Sequence, residues 1–222
     1  IYIILIIKKM KILAFGDSLT EGYVTKETPR YYPYTTTLKK LLSKQLGKAV
    51  VIHNKGVSGE KTGSMVKRIR RTCSKSRYDM AIILAGTNDL DDPHMSATAI
   101  ANNVTNLHTY CMDKLGVTNV MCLSIPEVTS PNRTKSASIT TTNNGDDRVI
   151  KYETKRIRVN KKLSSYCDQH IAVHYVHFGE VFKESQLGPR MFSGNGYHLS
   201  VSGYKKMAEF IANHIKTVLH QM

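Results

Sequence analysis

The stretch Leu13-Ala-Phe-Gly-Asp-Ser-Leu-Thr-Glu-Gly-Tyr23 says most about the fold of this chain. Its apolar run ends at Gly16, and Asp17 and Ser18 then turn the chain, so the pattern predicts a strand, a tight turn and a helix. Such a turn exposes Ser18 Oγ at the carboxyl edge of a sheet. It also places the Ser18 N–H at a helix N-terminus, where partial positive charge stabilises an oxyanion. Taken alone, these residues are equally typical of a strand followed by a serine that caps a helix.

Outward from this stretch, strand-like and helix-like patterns alternate along the chain. Short apolar runs rich in β-branched residues predict strands at 11–15, 49–53, 80–85, 117–123 and 171–176. Strands that alternate with helices indicate βαβ units and a parallel sheet. Strands that are almost entirely apolar are typical of a sheet covered on both faces. Ligands bind such sheets beyond the carboxyl ends of the strands.

The helical patterns between these runs are amphipathic. Apolar side chains spaced three and four residues apart predict helices around 38–46 and 65–73, and longer helices over 97–115, 149–167 and 200–219. In the last of these helices we expect the core side to carry Val201, Tyr204, Met207, Ala208, Ile211 and Ile215.

The length of 222 residues suits one domain with a sizeable core. We expect this domain to span residues 10–222 and residues 1–9 to be an N-terminal extension outside the fold. The apolar run of the extension ends at Ile7, whereas a transmembrane helix needs ~20 apolar residues. Its lysines follow the apolar run, whereas in a signal peptide the positive charges precede it. The alternative is a tail that touches a membrane.

The cysteines favour a cytoplasmic protein over a secreted one. Small secreted scaffolds use cysteines more densely, and reduced thiols are typical of intracellular proteins. No zinc-like spacing links the four cysteines, which are Cys73, Cys111, Cys122 and Cys167.

The chain carries a net charge of +15 that is unevenly distributed. Between residues 39 and 77 there are twelve lysines and arginines against one acid, Glu60, and a second basic group lies between residues 151 and 162. Such an excess can attract anionic substrates, membrane surfaces or nucleic acid. We favour the alternative of a solvated helix face in a basic protein. Because no basic motif is interleaved with aromatic residues, nucleic acid is not an expected partner.

Three more short motifs follow predicted strands: Asn54-Lys-Gly-Val-Ser-Gly59, Gly86-Thr-Asn88-Asp89 and Asn195-Gly-Tyr-His198. Acyl transfer needs a nucleophile, N–H donors for the developing oxyanion and a base, brought together from separate loops. Ser18, the Gly59 N–H, the Asn88 amide and His198 are groups of these kinds, expected at one edge of the sheet. Alone, each has an ordinary explanation, such as a turn glycine, a capping asparagine or a surface histidine.

In their order and context these blocks closely resemble the SGNH (GDSL) hydrolase superfamily, and within it the small esterase and lysophospholipase-like branch. The resemblance covers residues 10–220. It implies a flavodoxin-like, three-layer α/β/α sandwich with a central parallel sheet of about five strands. Family members hydrolyse or transfer acyl groups of lipid, carbohydrate and small-alcohol esters, and the resemblance implies no metal and no organic cofactor.

The roles implied by the resemblance are carried over by matching position. Ser18 corresponds to the nucleophile and, through its backbone N–H, to an oxyanion donor. Gly59 corresponds to a second backbone donor, Asn88 to a side-chain donor and His198 to the general base.

One position departs from the family pattern, because the residue three before the catalytic histidine is usually Asp and here is Asn195. An aspartate accepts the Nδ1–H of the histidine and stabilises the imidazolium, whereas an asparagine can accept the hydrogen bond but brings no charge. Three alternatives stay open. Asn195 orients His198, or a backbone carbonyl within residues 192–194 does so, or catalysis is weakened and the chain chiefly binds its ligand.

Two long polar segments at the same sheet edge are candidate substrate loops. Residues 24–34 carry Tyr31, Tyr32 and Tyr34, which we expect, with Asp17, to contact the substrate. Residues 127–148 are too many for a routine connection. The alternative for this second segment is a mobile insertion.

We therefore predict a serine esterase that hydrolyses carboxylic esters of short-acyl, lipid or acetylated-carbohydrate type through an acyl-enzyme on Ser18. Its expected partner is a small-molecule or lipid ester, with an anionic substrate or a membrane surface as further partners of the basic residues. The alternatives are a catalytically weakened lipid- or glycan-binding module and an acyltransferase, in which an alcohol replaces water.

Overall fold

The computed structural model of the chain describes residues 9–25, 30–127, 144–193 and 198–221. Its strands are β1 (Met10–Gly16), β2 (Tyr23–Thr25), β3 (Arg30–Tyr31), β4 (Val50–Gly56), β5 (Met80–Leu84), β6 (Asn119–Leu123) and β7 (Val173–Val176). Its helices are α1 (Ser18–Glu21), α2 (Tyr34–Leu46), α3 (Thr62–Cys73), α4 (Ala97–Leu115), α5 (Asn144–Asp168), α6 (Phe178–Val181), α7 (Glu184–Leu187) and α8 (Val201–His220).

Five of the strands form one parallel sheet in the order β4-β1-β5-β6-β7. Two interior strands explain the apolar sequence runs: every residue of β5 is buried, and in β1 every residue except Lys11 is buried. Because helices cover both faces, both sides of the pleat need apolar side chains. The predicted three-layer α/β/α fold with a five-stranded parallel sheet is confirmed.

The two helical layers enclose separate cores. On one face, α2 packs against α8, and Leu38 and Ile211 are fully buried there with Ile12 of the sheet. On the other face, α4 packs between α3 and α5, and Leu107 and Leu163 are buried in that core. The predicted amphipathic faces therefore meet the sheet from both sides.

Three local features differ from the sequence-based expectation. β2 and β3 form a short antiparallel ribbon, which their polar sequence did not predict. Helix α5 begins at Asn144, within the segment expected to be a loop. Val201 was expected on the core side of α8, but it lies in the first turn after the cap and is 40% exposed. The other five residues expected on that side are buried.

The domain boundaries stay a prediction. Residues 1–8 of the expected extension and residues 128–143 of the second expected loop lie outside the described residues. Among the helices that the structure describes, none has the length and apolar character needed to cross a membrane.

Candidate active site

Ser18 occupies the first position of α1, directly after β1 has ended at Gly16. Asp17 caps the helix, since its carboxylate accepts a hydrogen bond from the Leu19 N–H at 3.0 Å. The turn is tight enough to require glycine. A Cβ on Gly16 would lie 2.2 Å from the Leu84 carbonyl oxygen and 2.4 Å from Thr20 Oγ1. This packing presents Ser18 at the carboxyl edge of the sheet, where the sequence predicted it.

His198 is the residue that the fold brings to Ser18. Its Nε2 lies 2.8 Å from Ser18 Oγ, although the two residues are 180 positions apart in the chain. The His198 carbonyl accepts a hydrogen bond from the Ser193 N–H at 2.8 Å. Ser200, two residues later, caps α8 by accepting from the Gly203 N–H. The histidine is thus held just before a long buried helix, within reach of the serine.

Burial sets the protonation state of His198. Removal of the imidazole from water disfavours its charged form and lowers the pKa of His198 from 6.5 to about 4. At neutral pH the ring is therefore uncharged. A neutral imidazole whose Nε2 faces a serine hydroxyl can accept the hydroxyl proton.

Tyr23 supports the histidine ring and was not among the predicted site residues. The ring centroids of Tyr23 and His198 are 4.9 Å apart with an interplanar angle of 58°. The Tyr23 carbonyl in turn accepts a hydrogen bond of 2.7 Å from the hydroxyl of Tyr204, which lies one turn into α8. The only sequence signal was position, because Tyr23 ends the block that contains Ser18.

The Gly59 loop is tied to the serine turn. The Val57 N–H donates to the Gly16 carbonyl at 3.1 Å. The Glu21 carboxylate on α1 accepts hydrogen bonds from both the N–H and the hydroxyl of Ser58. Gly59 itself is exposed and has a φ of +74°, a conformation that favours glycine. Its backbone is therefore at the surface beside the first turn of α1.

Asn88 belongs to a 3₁₀ turn after β5 and contacts the same loop. One N–H of its side-chain amide donates to the Glu60 carbonyl at 3.1 Å. A primary amide carries two N–H donors, so this bond fixes the orientation of the group and leaves a second donor. Beneath it, the buried Asp89 accepts hydrogen bonds from the Thr62 N–H and hydroxyl, which join the two loops.

Arg68 joins these loops through an ion pair and hydrogen bonds. Its guanidinium lies 2.6 Å from the Glu60 carboxylate, donates to the Lys55 and Gly16 carbonyls, and covers the Phe15 ring at 4.0 Å. This arginine was counted in the basic stretch 39–77, which we interpreted as a solvated face. The solvated-face interpretation is wrong for Arg68, because its side chain is largely buried and ion-paired.

Burial separates the predicted substrate contacts into two groups. Asp17 and Tyr34 are both 0% exposed, so neither side chain can touch a ligand that binds at the surface. Tyr31 is 53% exposed and packs edge-on against Tyr23. Tyr32 is half-buried near the Lys205 ammonium. Tyr31 and Tyr32 therefore stay candidates for substrate binding, and burial corrects the prediction for Asp17 and Tyr34.

The pKa of the buried Asp17 carboxyl lies well above the ordinary value for an aspartate. Burial raises the pKa of this carboxyl from 3.8 to about 7, although its hydrogen bond from Leu19 opposes the shift. Burial also raises the pKa of the neighbouring Tyr34. Near neutral pH, Asp17 is therefore an interior carboxyl that is half-protonated directly beside the proposed nucleophile.

Asn195 lies in residues 194–197, outside the described residues, so its role stays a prediction. The four cysteines are buried and carry no disulfide bonds. Within the described ranges, no three His, Cys, Asp or Glu side chains are grouped so that they could hold a metal ion.

A family model matches the part of the sequence that carries these residues. The model of the GDSL-like lipase/acylhydrolase family matches residues 14–206 of the chain. These residues include all four blocks, with Ser18, Gly59, Asn88 and His198. Among curated protein sequences, by contrast, none matches the chain.

The chain is similar in fold to three solved enzyme structures. A lipase/acylhydrolase from Enterococcus faecalis shares 20% identity at a TM-score of 0.69, over 94% of this chain and 96% of that chain. An aryl esterase from M. smegmatis shares 18% identity at a TM-score of 0.64, over 94% and 99%. Est24, a carbohydrate acetylesterase from Sinorhizobium meliloti, shares 19% identity at a TM-score of 0.62, over 94% and 99%. At these identities the likeness concerns the fold.

Proposed function

The chain belongs to the GDSL-like lipase/acylhydrolase family, and we propose that it is a serine esterase that hydrolyses carboxylic esters through an acyl-enzyme on Ser18. The observation that carries the proposal is the distance of 2.8 Å between Ser18 Oγ and His198 Nε2. A nucleophile within hydrogen-bond reach of a neutral base is the arrangement that covalent acyl transfer requires.

In the first half-reaction, His198 Nε2 takes the proton of the Ser18 hydroxyl while Oγ forms a bond to the ester carbonyl carbon. The carbonyl π electrons move onto oxygen, and a tetrahedral oxyanion results. Its collapse re-forms the carbonyl and breaks the bond to the alcohol oxygen. His198 returns the proton to this oxygen, the alcohol leaves, and Ser18 carries the acyl group.

The oxyanion is stabilised by three N–H donors: the backbone groups of Ser18 and Gly59 and the side-chain amide of Asn88. Two hydrogen bonds support this assignment. The bond from Val57 to Gly16 ties the Gly59 loop to the serine turn, and the bond from Asn88 to Glu60 ties the Asn88 turn to the Gly59 loop. Donors that are fixed before the reaction need little reorganisation in the transition state.

In the second half-reaction, His198 takes a proton from water as the water oxygen attacks the acyl carbon. A second tetrahedral oxyanion forms and collapses, the bond to Ser18 Oγ breaks, and the serine recovers its proton from His198. The carboxylic acid is released. An alcohol in place of this water gives the acyltransferase alternative.

The orientation of His198 Nδ1 belongs to the proposal as well. Asn195 and a backbone carbonyl within residues 192–194 stay the two candidate acceptors for its N–H. The ring contact with Tyr23 supports an oriented imidazole in either case, because packing limits the rotation of the ring.

The experiment that tests the proposal is hydrolysis of 4-nitrophenyl acetate and butyrate by the purified protein and by Ser18→Ala. We expect the variant to fall to the background rate, because no other group is proposed to form the acyl-enzyme. Ser74→Ala, at an exposed serine after α3, is the matched control and should keep full activity. Equal rates in the wild type and Ser18→Ala would contradict the proposal.

A catalytically weakened lipid- or glycan-binding module is the second candidate, because Asn195 stands where the family usually has aspartate. This alternative expects ligand binding that survives Ser18→Ala without turnover in the wild type. We further propose that the protein acts in the cytoplasm, which the four buried cysteines without disulfide bonds support.

A further inference from the structure

A groove between α4 and α5 opens beside the Asn88 turn. Its first part is a cavity of about 690 Å³ between the segment that follows Asn88 and residues 151–158 of α5. Leu90, Pro93 and Met95 line one side, and Lys151, Lys155 and Arg158 line the other. An apolar wall opposite three cations is typical of a site for a molecule with both an apolar part and an acidic part.

The groove continues along the two helices. A second cavity of about 520 Å³ lies between α4 and α5 and shares Arg158 with the first. Its α5 side adds Lys161 and Lys162, and its α4 side offers the neutral side chains of Asn102 and Thr105. No aspartate or glutamate lines this second cavity among the residues that the structure describes.

The cations form one stripe because of their spacing. Lys151, Lys155, Arg158 and Lys162 follow one another at intervals of four, three and four residues, which places them on one face of a helix. Among the described residues that line the first cavity, only Asp91 is acidic. Arg156, between two members of the stripe, is buried instead, and donates to Glu153 and to the Ile125 carbonyl. On α5, the buried Arg156 therefore contributes to packing, whereas the cations of the stripe line the groove.

Two contacts connect the groove to the proposed active site. Asp92 forms a salt bridge of 2.8 Å with Lys61, two residues after Gly59. The Asp92 carbonyl also accepts a hydrogen bond of 2.7 Å from Lys155 of the groove. Leu90, which begins the apolar wall, is only two residues after Asn88. The groove therefore lies beside the loops that carry two of the proposed oxyanion donors.

We propose that this groove is a substrate subsite for an acidic group, so that the preferred ester has an apolar chain ending in an anion such as a carboxylate. The proposal rests on the proposed esterase function. The chain of the substrate lies against Pro93 and Met95, and its anion is bound by Lys151 and Arg158, which are exposed at the groove. Arginine suits this task because its planar fork can bind a carboxylate through two hydrogen bonds.

The test compares two esters, 4-nitrophenyl octanoate and mono-4-nitrophenyl suberate, which have the same chain length and differ in a terminal carboxylate. We expect the ratio of kcat/KM for suberate over octanoate to fall about fivefold in Lys151→Gln/Arg158→Gln, since partly exposed charge pairs contribute modestly. Added salt should lower the wild-type ratio, because it screens exposed charges.

The matched control is Lys39→Gln/Lys40→Gln, which removes the same charge from two exposed lysines of α2 on the opposite face of the sheet. We expect it to keep the wild-type ratio. An equal loss in this control would overturn the proposal, because the preference would then come from the overall charge of the protein. A wild-type protein that hydrolyses both esters equally would also overturn it.

Calorimetric binding to Ser18→Ala separates this proposal from the proposed function, since the variant leaves both esters intact. Tighter binding of suberate than of octanoate, lost when Lys151→Gln/Arg158→Gln is added, supports the subsite even if the wild type hydrolyses neither ester. In that outcome only the esterase proposal fails. Equal binding of the two esters, or no binding of either, overturns the subsite.

Discussion

The two members of the Ser18–His198 pair are held by different parts of the fold. On the serine side, directional hydrogen bonds join three loops: Val57 to Gly16, Ser58 to Glu21 and Asn88 to Glu60. On the histidine side, the Ser193 N–H donates to the His198 carbonyl, the Ser200 N–H donates to the Met191 carbonyl, and the Tyr23 ring packs against the imidazole. The serine turn is therefore tied to the neighbouring loops of the sheet edge, and the histidine is placed by the segment that leads into α8 and by an aromatic contact. We expect a change of the Tyr23 ring to disturb the base without disturbing the serine turn.

Among variants that keep Ser18, removal of the base should have the largest effect on activity. We expect His198→Ala to lower kcat about 10³-fold, because general base catalysis by a positioned histidine contributes on that scale. Steady-state hydrolysis of 4-nitrophenyl butyrate measures the loss, and added imidazole should restore part of it. His220→Ala, at the exposed end of α8, is the control and should change nothing. A small effect of His198→Ala would mean that His198 is not the catalytic base.

Tyr23 tests whether packing positions the base. We expect Tyr23→Leu to lower kcat about tenfold with little change in KM, because a misplaced catalytic group slows chemistry more than binding. Tyr23→Phe keeps the ring and should keep the rate.

The pH profile distinguishes this role from a general loss of stability. Without the Tyr23 ring, water reaches His198 more easily, so the acid limb of kcat should move up towards the ordinary histidine pKa of 6.5. Tyr31→Leu, which alters an exposed neighbour of Tyr23, should leave the limb in place. Equal loss in Tyr23→Leu and Tyr23→Phe would contradict positioning by the ring.

The wild-type pH profile sharpens the comparison further. The proposed base works only when neutral, and the folded pKa of His198 is about 4. Activity should therefore persist well below pH 6.5 and fall only as the pH drops through about 4. Below it, we expect kcat/KM to decrease about tenfold per pH unit. Rates of 4-nitrophenyl butyrate hydrolysis, corrected for unfolding, measure this limb. A midpoint near 6.5 would mean that His198 is solvated.

The last and smallest expected effect concerns Asp17, on the serine side, and it is a change in the stability of the protein. The folded pKa is about 7 and the ordinary value is 3.8, so above pH 3.8 the unfolded chain releases a proton that the folded chain keeps. Stability is therefore lost as pH rises from about 3.8 to about 7. Asn cannot ionise but can still cap Leu19. We expect Asp17→Asn to gain about 2 kcal/mol more over wild type at pH 8 than at pH 5.

Urea unfolding at the two pH values measures this difference, with Asp113→Asn, at an exposed position of α4, as the control. The same gain at both pH values would mean that Asp17 does not titrate in this range. A loss at both would mean that the carboxylate is needed as a cap.

Much of the fold was predictable because its signals are local. The strand sequences are almost wholly apolar, and the helices carry one buried face, so β5 and α4 were predicted to within about two residues. The pairing of Ser18 with His198 followed from the order of four motifs rather than from any local pattern. A single motif would have been equally consistent with a helix cap.

The parts that were missed depend on contacts across space. Tyr23 supports His198 from a distant part of the chain, and no periodic pattern records a ring contact. Arg68 looked like one more surface cation because its partner Glu60 is eight residues away, beyond the first turn of α3. Tyr34 looked accessible because it ends a polar segment expected at the ligand-binding edge of the sheet, but its position at the start of α2 buries it.

The separation of 180 residues between Ser18 and His198 has a kinetic consequence. Closing a loop of that length costs chain entropy, and contacts between distant residues form slowly compared with helices. During refolding from urea, far-ultraviolet circular dichroism should therefore recover before ester hydrolysis does. Recovery of ester hydrolysis would then report when the last long-range contacts of the chain form. At that point α8 has packed against α2 and His198 has reached the edge of the sheet.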